Sequence, residues 1–133
     1  MSRFILRKVN TGFKFDLLAA NGQEILTSEV YNSRAACIRG MESVRKSAPS
    51  ARLENQTDPD FITLTNPKYE LYADKSGAFR FRLRSRNGKI IAVSESYTTK
   101  AAALAGIESV RANSVDTPIP EGYNSPKEKE AIL

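Results

Sequence analysis

Apolar and polar residues alternate with a period of two in residues 13–20 and again in residues 79–86, which predicts two half-buried β-strands. Each segment leads into an Asn-Gly pair, which favours a type I′ turn because both residues tolerate a positive φ. Shorter apolar runs on either side predict two further strands in each half of the chain. These outer strands cover residues 4–9, 25–29, 69–73 and 90–94.

A helix is predicted after each third strand, where the spacing of apolar residues changes from two to three or four. Ser33 and Thr99 stand where N-cap residues belong. Gly40 and Gly106 lie within these helices, where glycine costs about 1 kcal/mol relative to alanine. Because this cost occurs in both helices, we expect each helix backbone to lie very close to a sheet or to a second helix.

The two halves of the chain are copies of one unit. When residues 13–48 are aligned with residues 79–114 without gaps, 16 of the 36 positions are identical. The matches follow the predicted elements in the same order, from the alternating strand through the Asn-Gly turn to the helix. Self-similarity of this kind indicates a duplicated supersecondary unit. Each unit consists of three predicted strands and one predicted helix.

A single three-stranded unit would expose a strand edge and part of its apolar face, and two units side by side cover both. We therefore predict an α+β fold in which two tandem β-β-β-α repeats form one antiparallel sheet with both helices packed on one face. The predicted divisions are 1–50 for repeat 1, 51–67 for a Pro-containing linker, 68–115 for repeat 2 and 116–133 for a Pro-rich C-terminal tail. Residues 61–64 could add a short strand to the linker, and the tail could form a short helix or be disordered.

The order and spacing of these motifs resemble the YegP-like family, bacterial tandem-repeat domains of unknown function. The resemblance rests on Phe13-Lys14-Phe15-Asp16-Leu17, Asn21-Gly22, Ser28-Glu29-Val30-Tyr31 and Gly40-Met41-Glu42-Ser43-Val44, and on their counterparts Phe79-Arg80-Phe81-Arg82-Leu83, Asn87-Gly88, Ser94-Glu95-Ser96-Tyr97 and Gly106-Ile107-Glu108-Ser109-Val110. It implies a sheet of two β-β-β-α units, with scope for strands exchanged between the units after each helix. It implies no activity. The long linker and the Pro-rich tail depart from the family pattern, so the route between the repeats stays open.

The composition excludes several kinds of chemistry. The chain of 133 residues contains no histidine, which removes His-based acid–base catalysis, His-activated nucleophiles and His metal ligands. Its single cysteine, Cys37, cannot form an intramolecular disulfide or a Cys₄ zinc site, and its place on an apolar helix stripe predicts burial. The sequence carries no Walker A, dinucleotide-binding or nucleophile-elbow motif. We predict a protein without metal or cofactor.

Charge and hydropathy give expectations about location and partners. No run of 18 apolar residues occurs, and the N-terminal apolar run is too short for a signal-peptide core, so we expect a cytoplasmic protein without a membrane partner. The net charge is +5 and the sequence pI is about 9.5, which favours anionic partners for this basic protein.

Arginines alternate along the second strand of repeat 2, where period-two geometry places them on one face about 6.7 Å apart. Tyr72 is expected beside them as a stacking platform. Repeat 1 has Lys, Asp, Leu and Ala at the same positions, so the fold does not require the arginines. We interpret them as a binding surface for an acidic protein or nucleic acid, or as a solvated face paired with acids such as Glu70 or Asp74. The four arginines are Arg80, Arg82, Arg84 and Arg86.

The sequence thus predicts a non-enzymatic binding or interaction module of unknown ligand, with the arginine strand as its first candidate surface. The alternative is a small ligand-binding protein or enzyme that uses Ser94, Glu95 and Tyr97 at the strand-to-helix junction. The same three residue types recur in repeat 1, which favours a structural role for them. A monomer is favoured over a dimer, because a tandem repeat supplies internally what a single repeat would gain by dimerisation.

Overall fold

The structure is a computed structural model and describes residues 2–115 and 117–119. Three strands and a helix occur twice in the same order, separated by one additional strand. The elements are β1 (Arg3–Val9), β2 (Gly12–Leu18), β3 (Glu24–Ser28), α1 (Arg34–Ser47), β4 (Arg52–Asn55), β5 (Lys68–Ala73), β6 (Phe79–Arg84), β7 (Ile90–Val93) and α2 (Lys100–Ser114).

Local sequence signals account for the helix starts. The Ser33 Oγ accepts a hydrogen bond from the Ala36 amide at 3.1 Å, and the Thr99 Oγ1 accepts one from the Ala102 amide at 3.1 Å. Both caps satisfy an amide that has no partner within its helix. The predicted N-caps are therefore confirmed.

The two hairpins form where the Asn-Gly pairs predict them, but the predicted type I′ turn is wrong. Gly22 and Gly88 have φ of 84° and 86°, whereas no described residue other than glycine has a positive φ, so Asn21 and Asn87 do not adopt the left-handed conformation that type I′ needs. Ala19 pairs with Gln23 and Ser85 pairs with Lys89 across three-residue loops, each of which ends in a left-handed glycine.

Seven strands form one sheet in the order β1-β2-β3-β7-β6-β5-β4. The third strands of the two repeats, β3 and β7, pair antiparallel at the centre and join the repeats into a continuous sheet. Both helices pack over one face of this sheet, and the residues between helices and sheet form a single apolar core. The predicted α+β fold is confirmed. None of the helices in the part of the chain that is described is long and apolar enough to span a bilayer.

The sheet is mixed rather than purely antiparallel, because β4 pairs parallel with β5. The short strand considered for residues 61–64 does not form, and β4 lies earlier in the linker. The difference follows from burial: Leu53 of β4 packs against the core, whereas Phe61 and Ile62 are 40% and 79% exposed. The Leu64 amide, which a strand would use in its ladder, donates instead to the Glu54 carboxylate at 2.7 Å.

Strand β4 follows the helix of the first repeat but lies at the outer edge of the second, beside β5. The strand exchange that the family resemblance allowed is therefore observed after α1. After α2, the Ser2 and Thr117 hydroxyls lie 2.7 Å apart, so the chain returns to the start of β1 at the opposite edge. The predicted C-terminal tail lies almost entirely outside the described residues.

The mid-helix glycines make room for a tyrosine from the preceding loop. A Cβ added at Gly40 would overlap the Tyr31 hydroxyl, and one added at Gly106 would overlap the Tyr97 hydroxyl. Each tyrosine ring stacks on a core phenylalanine of its own repeat, with centroids 6.2 Å apart in both repeats. A close approach at each glycine was expected from the sequence and is present, but the neighbour is a partly buried tyrosine side chain between helix and sheet, not a sheet backbone or a second helix.

Candidate functional site

The sheet face opposite the helices carries three of the four predicted arginines. Neighbouring positions on β5 and β6 pair Lys68 with Arg84, Glu70 with Arg82, and Tyr72 with Arg80. Their side chains share this face because each strand alternates and its apolar residues point to the helices. We call the group formed by Tyr72, Arg80, Arg82 and Arg84 the arginine face.

Glu70 organises the centre of the arginine face. Its Oε1 accepts hydrogen bonds from the Nε atoms of Arg82 and Arg84, the latter at 2.8 Å, and the Lys68 ammonium lies 3.4 Å from its Oε2. The carboxylate side chain is only 6% exposed. Burial raises the pKa of Glu70, but the hydrogen bonds from the two arginines outweigh burial and leave the pKa below its ordinary value. Glu70 is therefore a buried anion held by three cations.

Arg80 has an acidic partner of its own in the turn before β6. Its Nε donates to Asp74 Oδ2 at 3.0 Å, and its Nη1 donates to the Ser94 carbonyl at 3.3 Å. Hydrogen bonds from Ser76, followed by the one from Arg80, lower the pKa of Asp74 to about 2. The arginine is thus fixed at both ends of its guanidinium, with an ionised carboxylate beside it.

Tyr72 does not present an open ring for stacking. The Arg82 guanidinium carbon lies 4.5 Å from the centroid of the Tyr72 ring, within cation–π distance. Tyr72 therefore lies beside the arginines, as predicted, but Arg82 covers one face of its ring.

A buried ion pair beside the arginine face was missed by sequence reasoning. The Lys68 ammonium lies 2.7 Å from Glu54 Oε1, and the two side chains are 7% and 2% exposed. Burial raises the pKa of Glu54, but hydrogen bonds from Lys68, Gln56 and the Leu64 amide together lower it below its ordinary value. Lys68 could have been recognised because it alternates with the apolar residues of β5. Glu54 lies in the linker, where no periodic signal marks it.

Arg86 is not brought together with the other arginines. β6 ends at Arg84, and Arg86 lies in the turn that leads to β7. It lines a cavity of about 620 Å³ together with Lys46 and Ser47 of α1. The prediction that Arg86 shares a face with the other three arginines is therefore wrong. Side chains alternate between the two faces only within the strand, and the strand ends before Arg86.

The residues of the alternative site are each engaged elsewhere. The Ser94 Oγ accepts from the Phe81 amide at 2.9 Å and donates to the Glu95 carbonyl at 2.7 Å, and Ser28 makes the same two bonds in repeat 1. The Tyr97 hydroxyl faces α2 at Gly106. A hydrogen bond to Glu95, together with burial, raises the pKa of Glu24 to about 7. The three side chains thus make separate contacts.

Cys37 lies in the core and is fully buried. Burial raises the pKa of its thiol to about 12. The thiol is therefore protonated at neutral pH and behaves as a small apolar side chain. The predicted burial is confirmed. Among the residues that the structure describes, no group of three or more acidic or cysteine side chains is arranged to hold a metal ion.

Comparison with known proteins places the chain among relatives of unknown function. The model of the family described as a domain of unknown function (DUF1508) matches residues 9–54 and 74–127, one segment in each half. A UPF0339 protein of Pseudomonas aeruginosa is 37% identical over 111 residues, which cover 83% of this chain and 87% of the relative. A UPF0339 protein of Treponema denticola is 56% identical over 54 residues, covering 41% of this chain and 93% of the relative.

A solved structure shares the fold. The solution NMR structure of the Escherichia coli protein YegP, described as a protein of unknown function, superimposes with a TM-score of 0.71 at 33% sequence identity. The match covers 87% of this chain and 88% of YegP. The family resemblance seen in the repeated motifs is therefore confirmed, and the chain belongs to the DUF1508 family.

Proposed function

We propose that this protein is a non-enzymatic binding module that holds an anionic partner on the arginine face. The partner carries phosphates or carboxylates, and the contact residues are Arg80, Arg82 and Arg84. Arg86, which the sequence grouped with them, belongs to a different surface of the molecule.

The observation that supports the proposal is how the guanidiniums are held. Each arginine is anchored to an acidic neighbour through its Nε. Within residues 2–115 and 117–119, no hydrogen bond engages Nη2 of Arg80 or Arg84, or either terminal nitrogen of Arg82. A guanidinium fixed at Nε keeps its outer donors in a set orientation, which lowers the entropy lost when an anion binds.

Exposure also favours an anionic partner. The side chains of Arg80, Arg82 and Arg84 are 37%, 26% and 28% exposed, whereas Glu70 beneath them is almost completely covered. The cations thus form the outer layer of the cluster and the central carboxylate the inner layer. A partner approaching this face meets donors first.

The alternative, a ligand-binding protein or enzyme, is favoured by one observation. The raised pKa of Glu24, which hydrogen-bonds Glu95, is the kind of perturbation found at functional sites. The Ser94 hydroxyl is bonded to the backbone and the Tyr97 hydroxyl is enclosed at Gly106, so neither is aligned with that carboxyl pair. The binding role is therefore the function that the geometry supports best.

The test is fluorescence anisotropy with labelled single- and double-stranded oligonucleotides and a labelled octaglutamate peptide, at about 50 and 200 mM salt. We expect Arg80→Ala/Arg82→Ala to weaken binding roughly tenfold and, for single-stranded nucleic acid, to reduce the salt slope by about 1.4. The matched variant Arg80→Lys/Arg82→Lys keeps the charge and should retain the slope. Absence of binding at the lower salt, or an unchanged affinity in the alanine variant, would contradict the proposal.

A further inference from the structure

A groove runs along α1, on the side that faces the β6–β7 hairpin. Two cavities of about 850 and 620 Å³ follow one another there and share Ser43, Ser85 and Asn87 as lining residues. The helix wall extends from Ala36 to Ser47, a stretch of twelve residues whose eleven steps rise about 16 Å at 1.5 Å each. The two cavities therefore form one continuous channel, which we call the α1 groove.

Five basic residues line the α1 groove, and Arg84 is the one among them that is paired with an acid in the described part of the chain. The other four are exposed, and none of these four makes an ion pair or a side-chain hydrogen bond to any residue that the structure describes. The single acidic residue in the lining is Glu29, at one end. The four exposed basic residues are Arg39 and Lys46 on the helix wall and Arg86 and Lys89 on the hairpin wall.

The duplication shows that the fold does not require these charges. An offset of 66 residues relates each of the four to its counterpart at α2 and the β2–β3 hairpin. All four counterparts are uncharged, although both repeats have equivalent strands, a hydroxyl N-cap and a partly buried tyrosine. The positions corresponding to Arg39, Lys46, Arg86 and Lys89 are occupied by Ala105, Ala112, Ala20 and Gln23.

We propose that the α1 groove binds an acidic peptide segment of a partner protein in an extended conformation. At about 3.3 Å per residue, five extended residues span the 16 Å wall. Arg39 and Lys46 lie seven residues, or about 10.5 Å, apart along the helix, which is three residues of such a peptide. Ile90 and Ile91 line the larger cavity and provide apolar contact between the cations.

The lining favours a peptide over nucleic acid. Single-stranded nucleic acid is usually held by aromatic side chains on which the bases stack. Tyr31 is the aromatic residue in the lining, and its ring is stacked on Phe15 with its hydroxyl enclosed at Gly40. Carboxylates paired with lysine and arginine need no such platform. The groove goes beyond the proposed function, since Arg84 is the one member of the arginine face that lines it.

The test measures binding of labelled octaglutamate, its octaglutamine counterpart and an oligonucleotide of eight nucleotides to the full chain. We expect Arg39→Ala/Lys89→Ala to weaken octaglutamate binding roughly tenfold, since the variant removes two ion pairs with the peptide. The matched control, Lys75→Ala/Lys100→Ala, removes the same charge from exposed residues that do not line the groove. Its affinity for octaglutamate should stay within about twofold of the original.

Each outcome separates the groove from the arginine face. Weaker octaglutamate binding in Arg39→Ala/Lys89→Ala than in the Lys75→Ala/Lys100→Ala control supports the groove, whatever the effect of Arg80→Ala/Arg82→Ala. Weakening in Arg80→Ala/Arg82→Ala alone supports the arginine face and overturns the groove. Equal weakening in the groove variant and the Lys75→Ala/Lys100→Ala control means that only net charge matters, which overturns the proposal. Preferential groove-dependent binding of the oligonucleotide, or equal binding of octaglutamine, overturns the assignment to an acidic peptide.

Discussion

The arginine face and the α1 groove are both basic, yet their charges are arranged in opposite ways. On the arginine face every guanidinium is bonded to a carboxylate, and Glu70 is shared by two of them. In the groove, four cations face the cleft without an ion pair among the described residues. The comparison shows that arginines which alternate along a strand can form ion pairs within the fold. The four cations of the groove come from a helix and a hairpin and form no such pairs among the described residues.

The largest expected effect comes from removing the anion at the centre of the arginine face. Glu70→Ala leaves Lys68, Arg82 and Arg84 without their shared partner, so we expect the free energy of unfolding to fall by about 3 kcal/mol. Urea unfolding monitored by circular dichroism measures the loss. The matched groove variant, Glu29→Ala, should cost less than about 0.5 kcal/mol. Similar losses in the two variants would remove the distinction between the surfaces.

A smaller effect is expected at the wall of the α1 groove. Gly40→Ala forces a methyl group against the Tyr31 hydroxyl and to 3.0 Å from Phe15 Cε2. Overpacking outweighs the helix propensity gained, and we expect a net loss of about 1–2 kcal/mol in thermal or urea unfolding. Adding Tyr31→Phe removes the nearest atom and should recover part of the loss. A Gly40→Ala protein as stable as the original would show that the helix shifts without cost.

The third prediction concerns pH, and it draws on the carboxyl pair between the repeats. A hydrogen bond to Glu95, then burial, raises the pKa of Glu24 from an ordinary value of 4.5 to about 7, while Arg7 opposes the shift. The folded protein therefore holds this proton more tightly than the unfolded chain does. The resulting stability is complete below about pH 4.5 and is lost as the pH rises through about 7.

We expect the urea midpoint to fall between about pH 5 and pH 8, and to fall less in Glu24→Gln, which cannot ionise. The chain has no histidine, so few other groups titrate in this range. Glu108→Gln is the control, because that carboxylate is 73% exposed. A decline of equal size in Glu24→Gln and the original protein would rule out the Glu24 carboxyl as its source.

The smallest effect on stability is expected when the groove charges are copied into the other repeat. Ala105→Arg/Gln23→Lys changes two exposed positions and should alter the free energy of unfolding by less than about 0.5 kcal/mol. The same variant should bind one octaglutamate peptide more than the original protein does, which isothermal titration calorimetry reports as an increase of one in stoichiometry. Unchanged stoichiometry would mean that the shape of the α1 groove, and not its charge alone, is needed.

Most of the fold could be predicted because its signals are local and occur twice. The alternation of β2 and β6, the positions of the Asn-Gly turns and the caps at Ser33 and Thr99 depend on neighbouring residues only. The type of these turns was predicted wrongly, because Asn tolerates a positive φ but does not require one. β4 was misplaced because its stability depends on distant partners: Leu53 packs on the core and Glu54 is held by Lys68. Residues 61–64 are more apolar and therefore favoured the prediction there, but Phe61 and Ile62 remain 40% and 79% exposed in the described structure.

The two candidate surfaces also differ in how far they could be predicted, because one depends on local sequence and the other on residues distant in the chain. Arg80, Arg82 and Arg84 share one strand, so period-two geometry places them together, and the acids expected as their partners, Glu70 and Asp74, do bind them. The groove joins side chains from a helix and a hairpin of different repeats, which no local pattern connects. Comparing the repeats position by position could have marked Arg39 and Lys89, because their counterparts are uncharged.

The position of β4 has a consequence for chains that contain one repeat. Here the strand that follows the first helix completes the sheet edge of the second repeat, so the second unit depends on sequence from the first. The Treponema denticola relative matches over 54 residues that make up 93% of its length, about the size of one repeat. Within such a chain there is no second unit to receive the strand. We expect two copies to exchange it, forming a domain-swapped dimer from which the tandem protein differs by a covalent connection.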